Sequence, residues 1–405
     1  MIPLEDAQHA IAACLAPLDA VEVPTQDAVG LALAADVVAP ESVPPFANTA
    51  VDGFAVRAID TTDAPVVLRV VGELPAGKEP TVAVGRGEAI RIMTGAPLPG
   101  GADAVIMVEH TEVADEGATV RIGRVARVGD HVRDAGGDLA TGEMAFPAGT
   151  VVGPAHLGVL AGLGIERVVA TRRARVGVCS TGDELVEAGP LEPGRIRDAN
   201  RPMLMALVAL TGANAVDLGI VGDDADAVAD RLSEACATCD LVLTSGGVSV
   251  GDYDHVRSVL EALATGPSHW WQVAIKPAKP LSFAMVGDTP VFGLPGNPVS
   301  SLVSFELFAR PSILGRMGHR LRSRPVVSAV AAEDLRRAPD GKLHLDRVTL
   351  RPDGHQLVAK PVRSQASNVL SASASANGLA LLPDGDGVAS GDAIRVMRLD
   401  AAPDH

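Results

Sequence analysis

The sequence predicts a multidomain fold with a central α/β domain, built on a mainly parallel sheet, and β-rich modules before and after it. Strands alternate with helices from about residue 171 onward, and this alternation implies right-handed crossovers between parallel strands. Short alternating runs rich in Gly and Val occupy residues 46–140. Short strands with turns return in residues 325–405, which predicts a small β-barrel or sandwich.

A short helix and extended segments precede the first β-rich module. Apolar spacing over residues 4–18 predicts an amphipathic helix, and residues 21–40 predict extended chain. Prolines from Pro40 to Pro45 mark a break before the module. After the module, residues 140–170 predict an extended piece followed by a second helix.

The α/β region has the most regular pattern. Its strands are predicted from apolar runs and its helices from the periodic runs between them. The predicted strands cover residues 174–181, 215–221, 240–247, 280–286 and 290–296. The predicted helices cover residues 201–213, 224–239, 254–263 and 298–317. A basic linker, Arg320 to Arg324, leads to the last module.

Composition excludes several classes of function. Of the 405 residues, 47% are hydrophobic and only 2% are aromatic, which predicts an aliphatic core and argues against stacking on single-stranded nucleic acid. A formal net charge of -16 would repel a phosphate backbone, so we expect no nucleic-acid partner. No leader peptide and no long apolar run is visible, so we expect a cytoplasmic protein without a membrane partner.

The cysteines fit a reducing compartment, because four are too few for a disulfide framework. Cys236 and Cys239 have the CxxC spacing of a metal site but lie in a predicted helix without a second pair. We interpret them as two thiols on one helical turn.

Several polar segments follow predicted strands of the α/β region, where ligands bind in parallel sheets. Ser180, Thr181, Gly182 and Glu184 follow the first strand and could hold Mg²⁺ or a sugar hydroxyl, or only cap a helix. Asp223 follows the second strand and has the same two interpretations. A Gly/Ser-rich loop follows the third strand and favours phosphate binding. Its candidate residues are Ser245, Gly246, Gly247, Ser249, Gly251 and Asp254.

Two further segments suit an anion. Lys276 and Lys279 are each followed by a proline, so an extended backbone would present both cations, although solvated surface lysines are an equal alternative. The segment Pro295, Gly296, Asn297 and Pro298 opens a predicted helix, where Asn297 either binds an anion or only caps. In the β-rich module, turns contain Asp52, Thr94, Arg133 and Asp138, and alone none of them indicates function.

Taken together, these segments resemble the MoeA family, the molybdopterin molybdenumtransferases, which includes the C-terminal part of gephyrin. The resemblance rests on PPFANTAVDGFAVRA, RIMTGAPLPGGADAVIMVE, GDHVRDAGGDLATGE, STGDEL, TSGGVSVGDYD, IKPAKP and GLPGNPVS, in that order. It extends from about residue 4 to the C-terminus. TSGGVSVGD also occurs in related molybdopterin-binding domains, whereas its combination with TAVDGFA and IMTGAPLP is specific.

The resemblance implies four domains. They are an elongated discontinuous domain (1–44 and 140–170), an inserted β-rich domain (45–139), a molybdopterin-binding α/β domain (171–318) and a C-terminal β-barrel (325–405). It also implies a homodimer whose cleft is shared between subunits, and a molybdopterin adenylyltransferase as the upstream donor.

The implied reaction is Mg²⁺-dependent insertion of molybdate into adenylyl-molybdopterin, with release of AMP. The resemblance places catalytic residues at Asp52, Thr94, Glu184, Asp223, Asp254, Lys276 and Lys279, and among these the Mg²⁺ ligands at Glu184, Asp223 and Asp254. Substrate binding is expected from Arg133, Asp138, Ser180, Thr181, Gly182, Ser245, Gly246, Gly247, Ser249, Gly251, Pro295, Gly296, Asn297 and Pro298.

Three positions depart from the family pattern. Gln272 stands where Lys is common, Val51 where Met is frequent and Ala199 where Ser is frequent, so one cation is missing at Gln272. Three other functions compete: a tungstate-specific transferase, a non-catalytic molybdopterin-binding carrier or scaffold, and a molybdopterin adenylyltransferase. The intact acidic and basic set disfavours the carrier, and the additional β-rich domains disfavour the adenylyltransferase.

Overall fold

The computed structural model describes residues 1–247 and 255–400. Contacts divide the chain into two compact units. The first contains Met1–Ala35, Gly149–Gly153 and the chain from Val168 onward, and the second contains Asp36–Ala148 and Pro154–Arg167. The four-domain division implied by the family resemblance remains a prediction.

A six-stranded sheet forms the centre of the first unit. In chain order its strands are β1 (Arg175–Thr181), β2 (Asn214–Val221), β3 (Leu241–Ser245), β4 (Ser268–Gln272), β5 (Pro280–Val286) and β6 (Thr289–Leu294). Their order across the sheet is β2-β1-β3-β6-β5-β4. The strands β2, β1, β3 and β6 are parallel, whereas β5 and β4 are antiparallel additions. The predicted mainly parallel sheet is confirmed.

Helices cover both faces of this sheet. They are α1 (Asn200–Ala209), α2 (Ala225–Thr238), α3 (His255–Leu263) and α4 (Pro298–Ser304). The helix α4 continues through a π-helical segment, Phe305–Ala309, into Arg310–Arg316, so the predicted helix 298–317 is confirmed. Alternate residues along β3 serve the two faces: Leu241 and Leu243 pack beside α1, and Val242 packs beside α2 and α3.

The N-terminal helix is shorter than its apolar spacing predicts. It covers Leu4–Ala12 rather than residues 4–18. The chain leaves the helix because its next segment bonds elsewhere: Leu18 N–H donates to the Arg316 carbonyl at 2.7 Å, and Arg316 Nη1 donates to the Ala16 carbonyl at 3.0 Å. Tertiary hydrogen bonds therefore override the local pattern.

A closed five-stranded barrel follows the α/β region. Its strands are Val326–Ala331, Leu343–Asp353, Gln356–Pro361, Gly378–Leu382 and Ala393–Arg398. The ring closes because Leu343–Asp353 pairs with both Gln356–Pro361 and Gly378–Leu382. The short strand Ile275–Lys276 adds to this sheet in parallel with Leu343–Asp353. The predicted C-terminal barrel is confirmed, and one short strand from the α/β region extends its sheet.

The second unit is built around a six-stranded sheet, as its short alternating runs predict. In order across the sheet its strands are Ala104–Met107, Gly53–Val56, Glu88–Ile92, Val66–Leu74, Thr119–Ile122 and Thr111–Ala114. Two strand pairs lie outside it, Asn48–Thr49 with Val132–Arg133 and Val37–Val38 with Met144–Phe146. The predicted second helix covers Pro154–Gly162.

The remaining elements are short. They are the strands Ala20–Pro24, Arg167–Thr171, Leu185–Val186, Ile196–Arg197, Leu335–Arg336 and Gly387–Val388, the helix Leu370–Ser373, and 3₁₀ turns at Thr25–Asp27, Ala58–Thr61, Val108–His110 and Asp115–Gly117. Across residues 1–247 and 255–400, no helix has the length and apolar character needed to cross a bilayer.

Candidate functional site at the carboxyl edge of the sheet

Four polar loops lie side by side where the parallel strands of the central sheet end. They are residues 180–184, 222–224, 246–247 and 295–298, and we call them the carboxyl edge. Strand register aligns them: Thr181 is paired with Val221, Ser180 with Ser245, and Ser245 with Leu294. The structure thus brings together the segments that were singled out separately in the sequence.

The acidic side of this edge is held by backbone hydrogen bonds. Asp183 N–H donates to Asp223 Oδ2 at 3.2 Å, and Asp223 N–H donates to Asp183 Oδ1 at 3.1 Å. The Glu184 carboxylate lies against Gly182, where a Cβ would approach Oε2 to 2.4 Å. Asp224, in contrast, accepts from Ala227 N–H and caps α2. Asp223 is therefore not the helix cap, which leaves its carboxylate for the edge.

Two glycines let the loop after β3 pass close to the first strand. Gly246 has φ +103°, and a Cβ there would lie 2.6 Å from the Thr181 carbonyl oxygen. Gly247 has φ +67°, and a Cβ there would lie 2.3 Å from Val256 Cγ2. Neither position accepts a side chain without movement, so this loop exposes backbone rather than side chains to the edge.

A buried polar network ties the loops together. Asn200, the first residue of α1, donates from Nδ2 to Ser245 Oγ and to the Gly296 carbonyl, both at 2.7 Å. The buried Asp198 accepts from Ser180 Oγ at 3.0 Å and from Arg201 Nε at 3.1 Å. Asp183 belongs to the acidic segment 180–184 that the sequence already indicates, whereas nothing in the sequence distinguishes Asp198 and Arg201, because Ser180 and Asp217 lie 18 and 16 residues away from them.

Several buried polar atoms at this edge lack a hydrogen-bond partner in the described residues. They are Thr181 Oγ1, Asn200 Oδ1 and Thr244 Oγ1. Buried polar groups are normally paired, so these three atoms have the capacity to bond a bound molecule or water at this edge. Of the 295–298 segment, Pro298 begins α4 as expected, whereas Asn297 makes no side-chain cap hydrogen bond. The Asn297 side chain therefore does not cap α4, which was the alternative to anion binding for this residue.

The two predicted lysines line a large cleft of about 870 Å³ between the α/β region and the barrel. Lys276 comes from the strand Ile275–Lys276, and Lys279 follows two residues beyond the cis peptide bond between Lys276 and Pro277. Ser300 of α4 and Gln365, Ser367 and Asn368 of the barrel add polar groups.

Charge in this cleft is opposite to that of the whole chain. Its basic residues are Lys276, Lys279, Arg336, Arg337 and Lys342, against the acids Asp340 and Asp346. Asp340 is already engaged, since it accepts from Arg337 Nη2 and Lys342 Nζ, both at 2.7 Å. In the described chain neither cleft lysine forms an ion pair, so both ammonium groups are available to a ligand in the cleft.

The remaining candidate residues lie in the second unit. Asp52 Oδ1 accepts from Thr94 N–H at 2.7 Å and from Thr94 Oγ1 at 2.6 Å. These hydrogen bonds, side chain first, lower the pKa of the Asp52 carboxyl. Arg133 is exposed on the strand Val132–Arg133, which pairs with Asn48–Thr49, and Asp138 is exposed in the chain that follows Val132–Arg133.

The Mg²⁺ ligands expected from the family resemblance, Glu184, Asp223 and Asp254, remain a prediction. Within residues 1–247 and 255–400, no three His, Cys, Asp or Glu side chains lie close enough to hold a metal ion. Asp254, Ser249 and Gly251 lie outside the described residues. Glu184 and Asp223 supply hard carboxylate oxygens, and Mg²⁺ usually takes only one or two carboxylates together with water and substrate phosphate. The donor chemistry at this edge therefore fits the ion.

Comparisons with known proteins point to one family. Three family models match: the MoeA N-terminal region (domains I and II) over residues 2–164, the probable molybdopterin binding domain over 177–315, and the MoeA C-terminal region (domain IV) over 328–399. Molybdopterin molybdenumtransferase 2 of Mycobacterium tuberculosis is 39% identical, over 98% of this chain and 100% of that protein. Molybdopterin molybdenumtransferase of Haemophilus influenzae is 36% identical, over 92% of each chain.

A solved structure agrees with the sequence matches. The crystal structure of a molybdopterin biosynthesis MoeA protein from Pyrococcus horikoshii OT3 is similar with a TM-score of 0.86, at 28% identity, covering 98% of this chain and 100% of that one. The likeness extends over both units and the barrel, not the α/β region alone.

Proposed function

The chain belongs to the MoeA family, and from this premise we propose that it is the enzyme that inserts molybdate into adenylyl-molybdopterin and releases AMP. The main observation in support is that the first unit contains both the polar carboxyl edge and the cationic cleft. The substrates are anionic: a phosphoanhydride and an oxyanion. A chain with a net charge of -16 needs such local cations to collect them.

Lys276 and Lys279 supply the oxyanion site in this proposal. Their ammonium groups would donate charge-assisted hydrogen bonds to molybdate or phosphate oxygens. Ser367 and Asn368, which line the same cleft, would add polar contacts to the oxyanion. The backbone of Gly246 and Gly247 and the segment 295–298 would hold the phosphorylated end of the other substrate.

Glu184 and Asp223, with Asp254, would hold Mg²⁺ beside that substrate. When bound, Mg²⁺ would polarise the phosphoanhydride as a Lewis acid. The reciprocal hydrogen bonds between Asp183 and Asp223 hold the two loops in register, so they orient the Asp223 carboxylate before substrate arrives. Asp52 and Thr94 would act from the second unit, and we propose that they do so in a homodimer with a shared cleft.

The test is AMP release from adenylyl-molybdopterin with Mg²⁺ and either molybdate or tungstate. Lys276→Ala should lower the molybdate-dependent kcat/KM by about 10-fold to 100-fold, since a hydrogen bond from a charged group is worth about 1.5–3 kcal/mol. Lys360→Ala is the matched control, because Lys360 lies on a barrel strand but pairs with Glu333 at 3.1 Å outside the cleft. Its kcat/KM should match that of the unaltered protein.

Other outcomes separate the competing functions. Tight substrate binding with no AMP release under either oxyanion would establish a carrier and overturn the transferase proposal. Release with tungstate alone would make the chain a tungstate-specific transferase. Supply of the substrate by a molybdopterin adenylyltransferase is tested by mixing the two proteins and following AMP. A monomer in light scattering at micromolar concentration would overturn the shared cleft.

A further inference from the structure

One acidic side chain in the cationic cleft has no evident structural purpose. Asp346 lies on the barrel strand Leu343–Asp353, whose inward-facing residues Val348 and Leu350 belong to the barrel core. Because strand residues alternate between faces, His344 and Asp346 share that inward face at the open end of the barrel. Asp346 is paired with Ala380, a small residue, on the neighbouring strand. An aspartate therefore occupies an inward-facing position where the barrel opens into the cleft.

The Asp346 carboxylate is half-buried and has no hydrogen bond or ion pair to any described residue. Lys276 is close to it, because the strand register pairs Lys276 with His344, two residues before Asp346. The charged and titratable groups around it come from three segments. They are Lys276 and Lys279, then Arg336, Arg337, Asp340 and Lys342, and on its own strand His344 and Arg347.

We propose that Asp346 takes up one proton from solvent when a tetrahedral oxyanion dianion binds in this cleft, and that its carboxylic acid then donates a hydrogen bond to the oxyanion. This inference rests on the proposed oxyanion site at Lys276 and Lys279. An ionised carboxylate beside a dianion would be repelled by it, whereas a carboxylic acid offers one O–H donor. One O–H bond forms at the Asp346 carboxylate, and no bond of the oxyanion breaks.

The electrostatics of the free protein agree with this. Burial raises the pKa of the Asp346 carboxyl, and the attraction of His344, Lys276, Arg347 and Arg337 only partly offsets it. A bound dianion would raise that pKa further, because it adds negative charge beside the carboxylate. Oxyanion affinity is then greatest below the pKa of the free protein and falls as the pH rises above it, by up to about tenfold per pH unit.

The test is titration calorimetry of the full chain with sodium molybdate, in buffers of different ionisation enthalpy. The unaltered protein should take up more than about half a proton per bound molybdate near neutral pH. Asp346→Asn keeps the size and a donor but cannot take up a proton. It should bind at least as tightly at alkaline pH, with a proton uptake near zero. Asp353→Asn, at the exposed far end of the same strand, should behave like the unaltered protein.

Three results would overturn the inference. Molybdate binding without proton uptake by the unaltered protein would refute it without any variant and would leave the proposed function standing. Proton uptake that persists in Asp346→Asn would assign the proton to His344 or another group. If molybdate does not bind the cleft at all, in particular if binding is the same in Lys276→Ala, the oxyanion site of the proposed function fails as well.

Discussion

Asn200 is the residue whose removal should disturb the carboxyl edge most selectively. Its Nδ2 atom holds Ser245, at the end of β3, and the carbonyl of Gly296, before α4, both at 2.7 Å. The residue is 9% exposed, so water does not readily replace it. Asn200→Ala would detach both loops from α1 in one step while it leaves the apolar cores of the sheet unchanged.

The expected loss follows from the hydrogen bonds. Each is worth about 1 kcal/mol net, and a buried carbonyl left without a donor adds about 1–3 kcal/mol. Asn200 Oδ1 has no partner in the described residues, so its removal relieves part of that cost. We therefore expect the free energy of unfolding to fall by about 2–3 kcal/mol. Turnover per folded molecule should fall at least about tenfold, because both loops that would hold the substrate lose their position.

Urea unfolding followed by tryptophan fluorescence is the appropriate assay. The only two tryptophans of the chain, Trp270 and Trp271, both lie in β4 of the same sheet, so the signal reports this unit. Asn214→Ala is the control, since Asn214 is exposed at the opposite end of β2. An unfolding midpoint for Asn200→Ala equal to that of the control would refute the stability argument. Unchanged turnover per folded molecule would refute the positioning argument.

Three other substitutions test separate parts of the structure. Gly246→Ala should destabilise the first unit by about 1–3 kcal/mol in the same urea assay, because its Cβ meets a backbone carbonyl. Burial raises the pKa of Asp240, but hydrogen bonds from Arg172 and from the Arg175 N–H outweigh this effect, so the pKa is lowered overall. The ionised Asp240 therefore stabilises the folded state above about pH 4, and this contribution is lost as the pH falls through the lowered pKa. In Asp240→Asn, the free energy of unfolding should therefore decrease less steeply than in the unaltered protein as the pH is lowered through the acid range. Thr94→Val keeps the N–H bond to Asp52, which stays ionised at neutral pH, so AMP release should fall less than in Asp52→Ala.

The fold was predictable wherever one short segment carries its own pattern. The buried strands β1, β3 and β6 each contain a short apolar run, and the turn at Gly287, with φ +59°, separates β5 from β6 as the sequence indicates. The strand β4 was missed. Its sequence SHWWQ has neither a clean alternation nor an aliphatic run, and it forms because β5 offers an antiparallel edge beside it. That information lies in the partner strand rather than in the segment itself.

The candidate site likewise contains some residues that can be predicted from the sequence and others that cannot. Gly246, Gly247, Lys276 and Lys279 stand in compact motifs, so their chemistry can be recognised without a structure. Asp198 could not be recognised, since an isolated acid in a loop looks solvated until its position beside Ser180 and Arg201 is known. Sequence reasoning therefore identifies residues that would bind a ligand from a recognisable motif. It misses residues whose role is to hold another segment of the chain in place.

Strand register decides whether the barrel contributes to the cleft at all. Leu345 packs in the core of the central sheet, and Val348 packs in the core of the barrel, so the alternation between them places Asp346 at the open end. A slip of one residue would bury the Asp346 carboxylate in the sheet core and expose Leu345 to the cleft, a costly exchange of a charge for an apolar group. The apolar residues on this strand thus enforce the register that puts an acid beside Lys276. Packing alone would be satisfied by Val or Leu at position 346, so an acid held half-buried there against the cost of its desolvation supports a role toward a ligand in the cleft.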